Sequence, residues 1–99
     1  MRSVRREPSF ETQLRKLQQD EEAIDRFLLS VEDVLARDPK GFGQIVIDES
    51  PLSVWVFDTF SSSFMPQLQI FYSFTDSIVY LRGLRVVKPK RGTHLKLKE

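Results

Sequence analysis

From Asp20 to Asp38 the apolar residues Ile24, Phe27, Leu28, Val31, Val34 and Leu35 return to one side of a 3.6-residue turn, and charged residues fill the other. Strands alternate with a period of two, so this spacing predicts an amphipathic helix with a wide face to bury. Asp20 is placed to cap the first turn, where Glu21 and Glu22 suit the positive end of the helix dipole. Asp38-Pro39-Lys40-Gly41 stops it, because Pro39 cannot extend a helix and biases Asp38 away from helical angles. A shorter stripe of Phe10, Leu14 and Leu17 comes first, opened by Pro8 with Ser9 as the expected N-cap and ending near Gln19. Two helices joined by almost no loop make an αα-hairpin, whose inner side needs a further apolar surface to cover.

That surface follows Gly43, where the chain turns to β-branched and aromatic residues. Strands are predicted over Gln44–Glu49, Leu52–Phe60, Gln67–Thr75 and Ile78–Val87, with Ser50-Pro51, a serine-rich loop at 61–66 and Asp76-Ser77 between them. The third alternates Leu68, Ile70, Tyr72 and Phe74 against Gln69, Phe71, Ser73 and Thr75. Helices first and a meander after them give an α+β class: two N-terminal helices packed on a four-stranded antiparallel sheet. One domain is expected over residues 1–91, with a basic, flexible tail at 92–99.

Charge is sorted along the chain. Residues 82–99 hold Arg82, Arg85, Lys88, Lys90, Arg91, Lys96 and Lys98 against Glu99, a net +6, and Arg2, Arg5 and Arg6 open the chain. Residues 7–81 carry a net −8, so the overall +1 conceals a basic end on an acidic body. Such an end suits a polyanion or an acidic protein partner, and a solvated tail is the plainer reading. There are no cysteines, which removes disulfides, thiolate metal sites and cysteine nucleophiles and fits a reducing cytoplasm. No apolar run reaches the ~18–20 residues of a membrane helix, and the arginines of residues 1–6 have no apolar stretch behind them to make a secretory signal. A cytoplasmic protein without membrane attachment is the expectation.

Few residues suggest chemistry. The lone histidine, His94, has no metal-ligating neighbours, no glycine loop is spaced for phosphates, and Ser61-Ser62-Ser63 lacks a nucleophile elbow. No metal and no cofactor are expected. Arg82 and Arg85, three apart, face opposite ways on an ideal strand unless Gly83 marks a bulge. Arg85 reads equally as an anion-binding group or a solvated arginine, and Arg82 as a structural group pairing with a body acid. Lys88, Lys90 and Arg91 are suited to phosphates more than to base edges. Tyr72 and Tyr80 read as core residues with satisfied hydroxyls, or else as acids or stacking platforms. Trp55, Phe57 and Phe71 form a candidate partner interface if exposed together, and otherwise complete the core.

Several strings resemble the RelE/ParE superfamily of bacterial toxin–antitoxin toxins: Pro8-Ser9-Phe10-Glu11-Thr12-Gln13-Leu14-Arg15-Lys16-Leu17, Leu35-Ala36-Arg37-Asp38-Pro39-Lys40-Gly41, Ile70-Phe71-Tyr72, and Ile78-Val79-Tyr80-Leu81-Arg82. The resemblance spans residues 8 to about 87. It implies two packed helices on a four-stranded antiparallel sheet and a cognate antitoxin over the active face. Its ribonuclease branch implies metal-free, ribosome-dependent cleavage of messenger RNA, and its ParE branch implies inhibition of DNA gyrase. The chain departs from the ribonuclease pattern: Gln69 replaces an arginine, Leu52–Phe60 has no Arg or Lys, and Arg85 stands where a histidine is common. Arg85 is then the one catalytic candidate, although an arginine stays protonated and makes a poor base. The expectation is a toxin that acts by binding. The alternatives are a RelE-type endoribonuclease using Arg85, Lys88, Lys90 and Arg91, or an unrelated α+β interaction module.

Overall fold

The computed structural model describes residues 1–17, 20–48, 52–60 and 66–87. In chain order these form β1 (Ser3–Arg6), α1 (Pro8–Arg15), α2 (Glu21–Arg37), β2 (Gln44–Ile47), β3 (Val54–Asp58), β4 (Leu68–Phe74) and β5 (Ile78–Val86). The sheet order is β1-β5-β4-β3-β2. The class is α+β with two helices, but the expected four-stranded antiparallel sheet is corrected to a five-stranded mixed one. β1 pairs parallel to β5, Ser3 opposite Ile78 and Arg6 opposite Leu81, while β2 through β5 pair antiparallel. Ser-Val-Arg-Arg offers one apolar residue, too little alternation to read as a strand, and its register is set by Val4 packing onto the core.

Each helix forms much as its sequence requires. α2 begins after Asp20, whose carboxylate accepts from the Ala23 backbone N–H at 3.4 Å, and ends before the Asp38-Pro39 break. α1 starts two residues earlier than expected and stops at Arg15, short of the expected end near Gln19: Glu7 occupies the N-cap position and Pro8 the first turn, so Ser9 lies inside the helix. The hairpin of β4 and β5 closes at Asp76-Ser77, where the Thr75 hydroxyl accepts from the backbone N–H groups of Ser77 and Ile78 in place of a turn glycine.

Both helices lie on one face of the sheet. Phe10 and Leu14 of α1 and Ile24, Leu28, Val31 and Leu35 of α2 meet Leu68, Ile70, Tyr72, Val79, Leu81 and Leu84 in a single core. Tyr72 is fully buried, and its hydroxyl donates to the Pro39 carbonyl at 2.5 Å, tying the loop after α2 to the centre of the sheet. Gly43 permits this approach, since a Cβ there would lie 2.0 Å from the Tyr72 hydroxyl. Burial, and secondarily the charge of Asp38, pushes the Tyr72 phenol up to about 12. Tyr72 is thus a core residue, tied up by a backbone carbonyl. No helix among the described residues is long and apolar enough to cross a membrane.

Candidate functional site

Two regions have residues to spare after the core is built. The first is the sheet face turned away from the helices. Cross-strand partners share a face, so Arg5 beside Tyr80 and Ser73, and Asp58, Gln69 and Arg85 in a second row, all project there. Arg82 joins them through a bulge. The pairing steps from Tyr72 opposite Leu81 to Phe71 opposite Gly83, which leaves Arg82 as the extra residue. Leu81 and Leu84 stay buried on the helix side, and Arg82 and Arg85 are both exposed.

The bulge frees ladder groups, and α1 takes them. The Ser9 hydroxyl donates to the Arg82 carbonyl, and the Gln13 side-chain carbonyl accepts from the Leu84 N–H at 2.6 Å. A Cβ on Gly83 would come within 3.0 Å of that Gln13 oxygen. Ser9 therefore serves the sheet and not its own helix end.

The arginines differ in how far the chain itself occupies them. Arg6, on the helix side, is held by Glu32 at 2.7 Å and Glu11 at 3.6 Å; the Glu32 hydrogen bond above all raises its pKa. Arg2 donates to the Thr75 carbonyl and lies 5.5 Å from the Phe74 ring centre. Arg82 meets Glu7 at 3.5 Å and the Ser73 hydroxyl at 3.4 Å. Arg85 has no carboxylate partner among the described residues: its guanidinium donates to the Gln69 side-chain carbonyl and lies 5.9 Å from the Phe71 ring centre. Gln69 and Phe71 thereby orient a guanidinium without cancelling its charge. Lys88, Lys90 and Arg91 lie outside the described residues, as do His94 and the expected tail at 92–99.

This face gathers Arg5, Arg82 and Arg85. Its neighbouring titratable groups are Tyr80, Asp58 and Glu7, and among the described residues no three His, Cys, Asp or Glu side chains gather as metal ligands.

The second region lies at the opposite edge of the sheet from β1. Trp55 is paired with Tyr72 and Phe57 with Ile70, so both point to the helix side and pack half-buried against the core, whereas Phe71 is on the far face under Arg85. The three aromatics expected as one patch are split between two faces. Phe57 joins an apolar groove with α2 residues that also pack the core. Phe27, Val31 and Val34 of α2 face Phe57, Phe60 and Phe42 across a groove of about 500 Å³. Asp58 is the only charged residue lining it among the described residues. Beside it, Ile45, Val46 and Ile47 of β2 are 44–51% exposed, and Phe60 is 92% exposed.

No protein-family model, curated protein or solved structure matches this chain.

Proposed function

We propose that the chain is a RelE/ParE-like toxin that acts by binding, kept inactive by an antitoxin whose amphipathic segment fills the groove between α2 and β3. The observation that carries this reading is the groove itself: aromatic and aliphatic side chains from two elements face each other across about 500 Å³. A groove of that chemistry suits an apolar helix or strand from a partner. The anion-binding face, with Arg5, Arg82 and Arg85, is then left for the cellular target, either gyrase or an RNA-containing assembly.

Expression of the chain alone should arrest growth, and co-expression of the gene beside it should restore growth. Phe60→Asp, at a fully accessible position, should weaken antitoxin binding at least ~10-fold, or about 1.4 kcal/mol, without changing the fold. Harmless expression would sink the toxin reading and leave an interaction module of another kind.

One observation favours a second reading. The bulge brings Arg82 and Arg85 to the face that carries Tyr80, which supplies charge stabilisation and a proton donor for phosphate cleavage. Position-specific cleavage of messenger RNA on translating ribosomes, lost in Arg85→Ala, would establish that reading; intact messages with blocked gyrase supercoiling would establish binding.

A further inference from the structure

Glu7 sits where a helix cap belongs and does not act as one. It occupies the N-cap position of α1, yet its side chain makes no hydrogen bond to the helix end. Short side chains such as serine or aspartate cap well, because they reach back to the N–H groups of the first turn. The Glu7 carboxylate turns to β5 instead, where its Oε1 lies 3.5 Å from the Arg82 Nε. The backbone enforces this contact. The Glu7 N–H donates to the Leu81 carbonyl at 2.9 Å, extending the β1–β5 ladder one step and bringing Glu7 beside Arg82. On its other side the Glu7 carbonyl accepts from the Glu11 N–H at 3.1 Å, in the first turn of α1. A residue held on both sides delivers its carboxylate to one arginine. The acids near the start of α1 are also divided by face: Glu11 and Glu32 hold Arg6 on the helix side. Among the described residues, Glu7 alone forms an ion pair with an arginine of the outer face.

We propose that Glu7 is an internal competitor on the outer face, its carboxylate holding Arg82 until an incoming phosphate group displaces it. The proposal rests on the reading of that face as anion-binding. Arg85, with no described carboxylate beside it, acts at once, and Arg82 joins after the exchange. The pair suits such an exchange, since its side chains are 42% and 38% exposed and an ion pair so exposed is weak and screened by salt. A phosphate presents several acceptor oxygens to a guanidinium and can replace one carboxylate contact with a bidentate one. Arg82's other contact, with the Ser73 hydroxyl at 3.4 Å, does not involve Glu7 and stays on the same face after the exchange.

Binding of a short fluorescent single-stranded RNA to the full chain, followed by anisotropy at about 50 mM salt, tests this. Glu7→Gln should tighten binding about 3-fold and steepen log K against log salt by up to ~0.7, as one more phosphate contact forms. Glu7→Asp keeps the net charge but supplies a side chain of capping length. It should raise the melting temperature and still tighten binding, because the charge moves from Arg82 to the helix end. Glu22→Gln removes an acid paired with Arg26 on α2 and should have little effect. Glu7→Gln in an Arg82→Ala background should change binding no more than Glu22→Gln does. Circular dichroism checks the fold of each variant. A gain from Glu7→Gln that survives Arg82→Ala overturns the proposal, as does Glu7→Asp binding like the wild type, since net charge alone then accounts for the gain. If Arg85→Ala weakens binding and Glu7→Gln changes nothing, the proposal falls and the anion-binding reading stands. A wild-type chain that binds no RNA overturns both.

Discussion

The Tyr72 hydroxyl illustrates how one polar atom can organise a small core. It is fully buried and joins the centre of the sheet to Pro39, at the point where α2 gives way to β2. Replacing it with Phe strands the Pro39 carbonyl and should cost about 1–2 kcal/mol in urea unfolding near neutral pH. The pH dependence follows from the direction of the shift. With the folded phenol pushed up to about 12 from an ordinary 10, the hydroxyl's contribution is complete below pH 10. It is lost as pH rises from 10 through 12, because the unfolded chain ionises first. The native protein should therefore lose about 2 kcal/mol more than Tyr72→Phe across that window. Equal alkaline losses in the two proteins would contradict this account. Tyr72 as a core residue was legible from the alternation of its strand. Its partner was not, because nothing in a sequence ties residue 72 to the carbonyl of residue 39.

Among the elements, α2 and the β4–β5 hairpin were the most legible, since long periodic runs dominate local competition. β1 was hidden by its composition, one valine among arginines and a serine, and becomes a strand only because β5 offers an edge. The bulge in β5 was foreshadowed by Gly83, but its support from α1 was not. Gln13 and Ser9 look like an ordinary helical surface until the sheet is in place. Gln13→Ala should destabilise by about 1 kcal/mol by leaving the Leu84 N–H unpaired. Gly83→Ala displaces the same oxygen, so the two changes should cost less together than their sum in a double-mutant cycle. Strict additivity would show that Gln13 and the bulge act independently.

For the whole molecule, counting charges along the chain located the basic residues and not their partners. Folding hands Arg6 to Glu32 and Arg82 in part to Glu7, while Arg85 remains uncancelled by any described carboxylate. The candidate site was thus half legible: Arg85 was singled out by position and Arg5 was not, and the α2 residues expected in the core do pack there while Phe42 and Phe60 turn their outer side into a groove. If the outer face binds single-stranded RNA, Arg85→Ala should lower the steepness of log K against log salt by ~0.7. Arg82→Ala should change it less, because Glu7 already takes up part of that charge. Identical slopes for all three proteins would remove this face from consideration.

The parallel seam between β1 and β5 also sets an order of events. Ser3 must find Ile78, 75 positions later, so β1 can close only after β5 has been made. Until then Val4 has no core to enter, and the β5 edge stays open to strangers. Newly made chains should be most prone to mispairing in that interval, and bulk fused ahead of Ser3 should prolong it.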